Sequence, residues 1–301
     1  MQVGFIGLGN MGAPMATNLV TSGFAVRLFD LDRTRTEAVA ALGGEVADDL
    51  GACVAGADVV CTSLPGPAEV RHVAPSLLEA LSPGSIWVDL STNDLACARE
   101  LQVLGDAAGV ELVDAPVTGG AEGAAAATLS VLCGGPSSAV DQVRPVLEAI
   151  GARIYHVGGH GAGYVAKIAS VSLCYVQSVC LTEALLLGAL GGVDAAQLLD
   201  IIQHSTGRSY VADRYGPEIL DGGYDSTFDL GLADKDLRLA LGVADTVGAA
   251  LPNLLAVAEL YRQSLGTHGF DAPHLIAMQT IEQANGLIFH QHHEVAHDPE
   301  S

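Results

Sequence analysis

Over the first half of the chain, short apolar runs alternate with helical patterns, and that alternation restricts the fold more than any other feature. QVGFIGL, AVRLFD, ADVVCTSL, SIWVDL, VELVDAPV, LSVLCGG and RIYHVG, all before about residue 158, read as strands bounded by Gly, Pro, Asp or Ser. They are apolar throughout, as strands covered on both faces are. Strands separated by helical segments need crossovers, so the pattern predicts a mostly parallel, doubly wound sheet. Beyond residue 160 strand-like runs nearly vanish, and helical periods span about 163–190, 194–204, 209–220, 232–247, 252–265 and 272–285. The expected class is α/β: a doubly wound N-terminal domain (1–160), joined through a long helix to an all-α domain (161–290), then a polar His-rich tail (291–301).

Helix punctuation agrees with this division. Pro14 lies early and Gly23 late in the first helical segment. Thr34-Arg35-Thr36-Glu37 has capping-box spacing, with Gly43 to end that helix.

Bulk properties narrow the function classes. Half of the 301 residues are hydrophobic and 16% are charged, which argues against disorder. A formal net charge of −22 opposes binding to nucleic acid or to an anionic membrane. The apolar stretch 168–192 contains Gln177 and Glu183 and reads as a buried helix, not a membrane span. The chain begins its first strand at once, without a basic and apolar leader, so the expected location is cytoplasmic. The six cysteines are scattered, and five or so read as small core residues in a reducing compartment. The histidines of HQHHEVAHDPES form no persuasive cage, and no metal site is expected.

GLGNMG, Gly7-Leu8-Gly9-Asn10-Met11-Gly12, follows the first strand and opens the first helix. In that context Gly7 permits a tight turn, Gly9 lets backbone approach a pyrophosphate, and Gly12 lets helix and strand pack closely. Asp30 ends the second strand, about 20 residues on, where a carboxylate accepts from ribose hydroxyls and repels a 2′-phosphate. NAD is therefore expected over NADP, although Arg33 and Arg35 lie near enough to reach a 2′-phosphate.

Together with that fingerprint, DVVCTSLPGPAEV (58–70), DAPVTGGAEGAAAATLSVLCGG (114–135), GHGAGYVAKIASVSL (159–173) and FDLGLADKDLRLAL (228–241) make the chain resemble the β-hydroxyacid dehydrogenases over essentially its whole length. That family includes 3-hydroxyisobutyrate dehydrogenase and tartronate semialdehyde reductase. The resemblance implies that Leu64 and Pro65 pass over the adenosine half of the cofactor, and that Thr92 contacts the nicotinamide side. It implies that Thr118, Gly119 and Gly120 form the substrate-binding turn, that Lys167 is catalytic, and that Lys235 closes over the cofactor. A lysine in an apolar helix suits the chemistry, because Val165, Ala166, Ile168 and Ala169 would lower its pKa toward a proton-accepting role. Ser209 and Tyr210 are candidate pocket residues, Tyr210 alternatively helix core. Lys235, between two aspartates, is alternatively a surface charge pair. His156 and His160 read as structural.

The chain departs from the family where relatives carry asparagines after the lysine: Ser170 and Val171 stand there instead. Val171 shares a helical face with Lys167 and can neither donate nor accept. The implied activity is NAD-dependent interconversion of a β-hydroxy acid, not plain 3-hydroxyisobutyrate, and its semialdehyde. An imine reductase and a catalytically silent dinucleotide-binding module are the alternatives. The resemblance, with the Ala- and Leu-rich second half, also implies a homodimer or homotetramer.

Overall fold

The structure, a computed structural model, describes residues 1–292, and from 293 on the expected tail lies outside the described residues. Two compact units divide within one helix, Met1–Ile168 and Ala169–Ser301, so Lys167 belongs with the first.

The first unit carries strands β1 (Gln2–Ile6), β2 (Ala25–Phe29), β3 (Glu45–Val46), β4 (Val59–Thr62), β5 (Ile86–Asp89), β6 (Glu111–Asp114), β7 (Val117–Thr118), β8 (Leu129–Gly134) and β9 (Gly151–Gly158). Between them run helices α1 (Gly12–Thr21), α2 (Thr34–Ala40), α3 (Leu50–Val54), α4 (Pro67–Ala80), α5 (Leu95–Ala108), α6 (Gly120–Ala125) and α7 (Ser137–Ile150). The nine-stranded sheet has the order β3-β2-β1-β4-β5-β6-β8-β7, with β9 beside β8. Pairings from β3 to β6 are parallel, as expected. The β6–β8 and β7–β8 pairs are antiparallel. VELVDAPV, expected as one strand, divides into β6 and β7 around Ala115-Pro116, since proline brings no amide to a ladder.

The unbroken apolar runs have a direct cause. Val59 and Cys61 enter one core layer while Val60 enters the other, and Ile86 and Val88 likewise face away from Trp87. Strand order reverses between β1 and β4, which opens a crevice beyond their C-terminal ends.

The second unit is helical. Helix α8 (Ala162–Leu190) begins in the first unit, and α9 (Ala195–Gln203), α10 (Tyr210–Arg214), α11 (Gly216–Asp221), α12 (Leu230–Val247), α13 (Pro252–His268), α14 (Ala277–Ala284) and α15 (Phe289–His292) follow. The expected 209–220 helix is broken at Tyr215, because Pro217 has no amide to bond the carbonyl four residues earlier and so sits in the first turn of a new helix. The capping box at Thr34 does not form. Asp32, two residues earlier, takes both the amide and the hydroxyl of Thr34, and a carboxylate is the stronger acceptor.

Expected burial of the 168–192 stretch is met on one face only. Tyr175, Leu185 and Leu186 are buried, whereas Leu173, Leu187 and Leu190 are exposed. By length and composition α8 could cross a membrane; within it Ser178 and Thr182 are buried and donate back to carbonyls one turn earlier. Four cysteines rather than five are buried: Cys53, Cys61, Cys97 and Cys133, their thiols pushed up to about 12 chiefly by burial. Cys174 is half-buried and Cys180 exposed.

Candidate active site

The glycine loop leaves β1 at the switch point and returns in α1. Gly7 has φ +91°, and a Cβ there would run into the Ser63 carbonyl oxygen. At Gly12 a Cβ would strike the Gly7 carbonyl oxygen, so this glycine sets the close approach of α1 to the strand. At Gly9 a Cβ would meet only the Arg35 Nη1, 3.8 Å away, which leaves the backbone open to a ligand. Leu8 is buried and Met11 packs against the core, while Asn10 is exposed. The α1 amides that lack helical acceptors face this side.

Asp30 closes the cradle. One carboxylate oxygen accepts from the Leu8 amide (2.6 Å) and the other from the Asp32 amide (2.8 Å), which orients it with lone pairs to spare. Arg35 pairs with Asp32 and Arg33 with Asp48, each at 3.5 Å. Both arginines are thus partly engaged by acidic neighbours, and Asp30 favours the unphosphorylated ribose of NAD. Gly7, Leu8, Gly9, Asn10, Met11, Gly12 and Asp30 fit a dinucleotide, because the one glycine with open space above it is the one a pyrophosphate must approach.

Two further loops lie beside this cradle. A Cβ at Gly7 would sit 3.0 Å from the Leu64 side chain, which places the Leu64-Pro65 loop against the fingerprint turn. The Leu64 amide donates to Ser91 Oγ (2.9 Å), which joins the loop after β4 to the loop after β5. In that second loop Ser91 and Asn93 are buried while Thr92 between them is half-exposed.

Beneath both loops is a residue that the motif reading missed. Asp89, 1% exposed, accepts from Thr62 Oγ1 (2.6 Å), Ser91 Oγ (2.7 Å), Asn93 Nδ2 (2.5 Å) and the Tyr164 hydroxyl (2.6 Å). Burial pushes this carboxyl up, and the bonds from Thr62, Tyr164 and Ser91 pull it back. Asp114 is its register partner on β6. It accepts from the amides of Gly161 (2.8 Å), Gly163 (2.8 Å) and Tyr164 (3.4 Å), and so caps the start of α8 from a different strand. The available signal was an Asp directly after an apolar pair at the end of each of two strands, IWVD and ELVD.

Lys167 lies one turn into α8, half-buried, three residues after Tyr164. Val171 follows one turn later, also half-buried, and Ser170 is exposed. Thr118 ends β7, and Gly119 and Gly120 take φ +133° and +66° at the start of α6, a turn most residues would resist.

In the second unit, Ser209 caps α10 by accepting from the Ala212 amide (3.0 Å). Tyr210 is 68% exposed and edges against Tyr215, so it is not helix core. Lys235 lies 3.1 Å from Asp236, which is buried, so the pair is not an ordinary surface one. His156 bonds the carbonyls of Gly135 and Gly158, a structural role.

An open glycine cradle at a switch point, with a carboxylate oriented for ribose, defines the class as dinucleotide-binding proteins of the doubly wound type. The particular family follows from comparison with known proteins. The family model described as the NAD binding domain of 6-phosphogluconate dehydrogenase matches residues 2–158. That described as NAD-binding of NADP-dependent 3-hydroxyisobutyrate dehydrogenase matches residues 161–281. A probable 3-hydroxyisobutyrate dehydrogenase of Mycobacterium tuberculosis is 37% identical over 273 residues, 88% of this chain and 93% of that protein. An NAD-dependent L-serine dehydrogenase of Pseudomonas aeruginosa is 35% identical over 271 residues, 87% of this chain and 91% of that one. The solved structure of Mycobacterium tuberculosis 3-hydroxyisobutyrate dehydrogenase with L-serine matches with a TM-score of 0.87 at 36% identity, covering 93% of this chain and 98% of that one. The chain belongs to the β-hydroxyacid dehydrogenase family and is an NAD-dependent oxidoreductase acting on a hydroxyl group, so the silent-module alternative falls.

Proposed function

We propose that this enzyme interconverts a short β-hydroxy acid and its semialdehyde, with Lys167 moving the hydroxyl proton. The observation that carries the reading is a half-buried lysine one turn into a helix whose start is tied to the ends of β5 and β6. The cradle from Gly7 to Gly12, Asp30, Leu64, Pro65, Thr92 and Lys235 would hold the cofactor, which supplies a hydride acceptor or donor when bound. In oxidation the Lys167 Nζ accepts the hydroxyl proton; in reduction it returns a proton to the forming alkoxide. The Thr118 hydroxyl and the amides around Gly119-Gly120 suit a substrate carboxylate. Ser170, Val171 and Ser209 complete the proposed substrate set.

Val171 bears on specificity. An apolar side chain one turn after the lysine offers no hydrogen bond, which supports a substrate other than plain 3-hydroxyisobutyrate. The relatives named for L-serine put serine, a β-hydroxy acid with an α-amino group, on the panel to be tried. A homodimer or homotetramer in the cytoplasm is part of the same reading, supported by the exposed leucines of α8.

Nicotinamide absorbance with NAD and NADP across β-hydroxy acids, semialdehydes and cyclic imines tests the proposal. Turnover of a hydroxy acid with NAD is expected, falling by about 10²–10⁴ in Lys167→Ala while NAD still binds. Undiminished turnover in Lys167→Ala would sink the assignment, and turnover of imines alone would favour the imine-reductase reading. Val171→Asn is expected to shift kcat/KM toward 3-hydroxyisobutyrate, and an unchanged order of substrates would remove the specificity argument.

A further inference from the structure

Resting on the reading of Lys167 as the proton-transfer group, we propose that Asp89 and Asp114 form a two-carboxylate clamp that positions Lys167. The two residues are in register at the ends of adjacent parallel strands, so their side chains leave the same face of the sheet. Asp114 takes the backbone of the first turn of α8 through the amides of Gly161, Gly163 and Tyr164. Asp89 takes its side chain through the Tyr164 hydroxyl. One carboxylate holds the axis of the turn and the other its rotation.

Three observations favour positioning over mere cohesion. Val88 and Val113, one residue earlier, are wholly buried apolar groups, and two more such residues would stabilise the sheet without desolvating a charge. Second, the turn is pressed to backbone contact. A Cβ at Gly163 would collide with the Leu132 carbonyl and lie 2.7 Å from the Asp114 carboxylate, and one at Gly134 would lie 2.7 Å from the Gly159 carbonyl. Third, Asp89 gathers donors from separate segments: Thr62 at the end of β4, Ser91 and Asn93 around Thr92, and Tyr164 of α8. Through Ser91 it also reaches the Leu64 amide. A single carboxylate therefore sets the lysine helix relative to both loops assigned to the cofactor.

The physical need is plain. Helix starts fray, and a lysine stem has freedom of its own, so proton transfer depends on a rigid base for that stem. Tyr164 and Lys167 are three residues apart on one helical face, with Cβ atoms about 5–6 Å apart. Whatever fixes the tyrosine fixes the origin of the lysine side chain. Asp89, Asp114 and Tyr164 are positioning residues; they act on the reaction through Lys167.

The test is a cycle of Tyr164→Phe and Lys167→Ala, with kcat from single turnovers, NAD dissociation constant and melting temperature for each protein. Tyr164→Phe removes one hydroxyl and leaves the loop-side bonds to Asp89. Its kcat is expected to fall roughly ten- to a hundredfold, with NAD affinity within about threefold. In the Lys167→Ala background the same change should add less than about a twofold loss, because the group it positions is gone. Unchanged kcat in Tyr164→Phe, or an equal proportional loss in both backgrounds, overturns the clamp and leaves the lysine reading intact. Undiminished turnover in Lys167→Ala overturns the lysine reading and the clamp with it. Asp114→Asn, judged by the same criteria, answers the question should Tyr164→Phe not fold.

Discussion

At Gly12 any side chain would meet the Gly7 carbonyl oxygen, while at Gly9 the space above the backbone is open. The two glycines therefore fail differently when replaced. Gly12→Ala is expected to cost about 1–3 kcal/mol through forced separation of α1 from β1, read by urea denaturation. Gly9→Ala should leave stability nearly unchanged and weaken NAD binding, measured by fluorescence titration; equal loss of stability in both would contradict the assigned roles. These glycines and Asp30 were legible because one strand–turn–helix–strand unit fixes their spacing along the chain. Asp89, Asp114 and Tyr164 were not, since the bond between Asp89 and Tyr164 joins residues far apart along the chain. Tyr210 and Cys180, apolar enough to suggest core, are exposed because composition does not report which way a helix faces.

Helix α8 shows the same limit at the scale of an element. Its length was readable from a long, mostly apolar run, and Gln177 and Glu183 within it argued for a buried helix over a membrane span. The face left uncovered was not readable. Leu173, Cys180 and Leu187 recur at seven-residue steps on an exposed stripe, with Leu187 77% exposed. On the proposed reading as a homo-oligomer, the wild type is expected to sediment as a dimer or tetramer and Leu173→Glu with Leu187→Glu as a monomer at micromolar concentration; a monomeric wild type contradicts that reading. Unaltered assembly would place the interface elsewhere. Elements were misjudged where one residue decides against a general pattern: Pro217 splits a helix, Pro116 splits a strand, and Asp32 replaces Thr34 as the acceptor at the start of α2.

For the molecule as a whole, pH is expected to act through buried groups of the second unit. Burial pushes the Asp225 carboxyl up, but bonds from His274 and Thr227 outweigh it and hold it at about 2. A depressed carboxyl stabilises the fold above its ordinary pKa of 3.8, and that contribution disappears as pH falls toward 2. Glu282 has the opposite sign. Burial raises it to about 7 from an ordinary 4.5, against the bond from Tyr224, so its contribution is complete below 4.5 and is lost as pH rises through 7. Melting temperatures from pH 2 to 8 should fall at the acid end and decline between pH 5 and 8. Asp225→Asn should flatten the first slope and Glu282→Gln the second; a slope that survives its substitution belongs to another group.

The sequence by itself determined the doubly wound sheet, the all-helical second half, the dinucleotide cradle and the family, because hydrophobic period, turn residues and short motifs are local properties of a chain. Tertiary structure decided which carboxylates are buried, how the start of the lysine helix is held, and which face of α8 stays open. Those depend on contacts between distant segments, whose strength comes from the low-dielectric space that exists only once the sheet and its helices have closed over it.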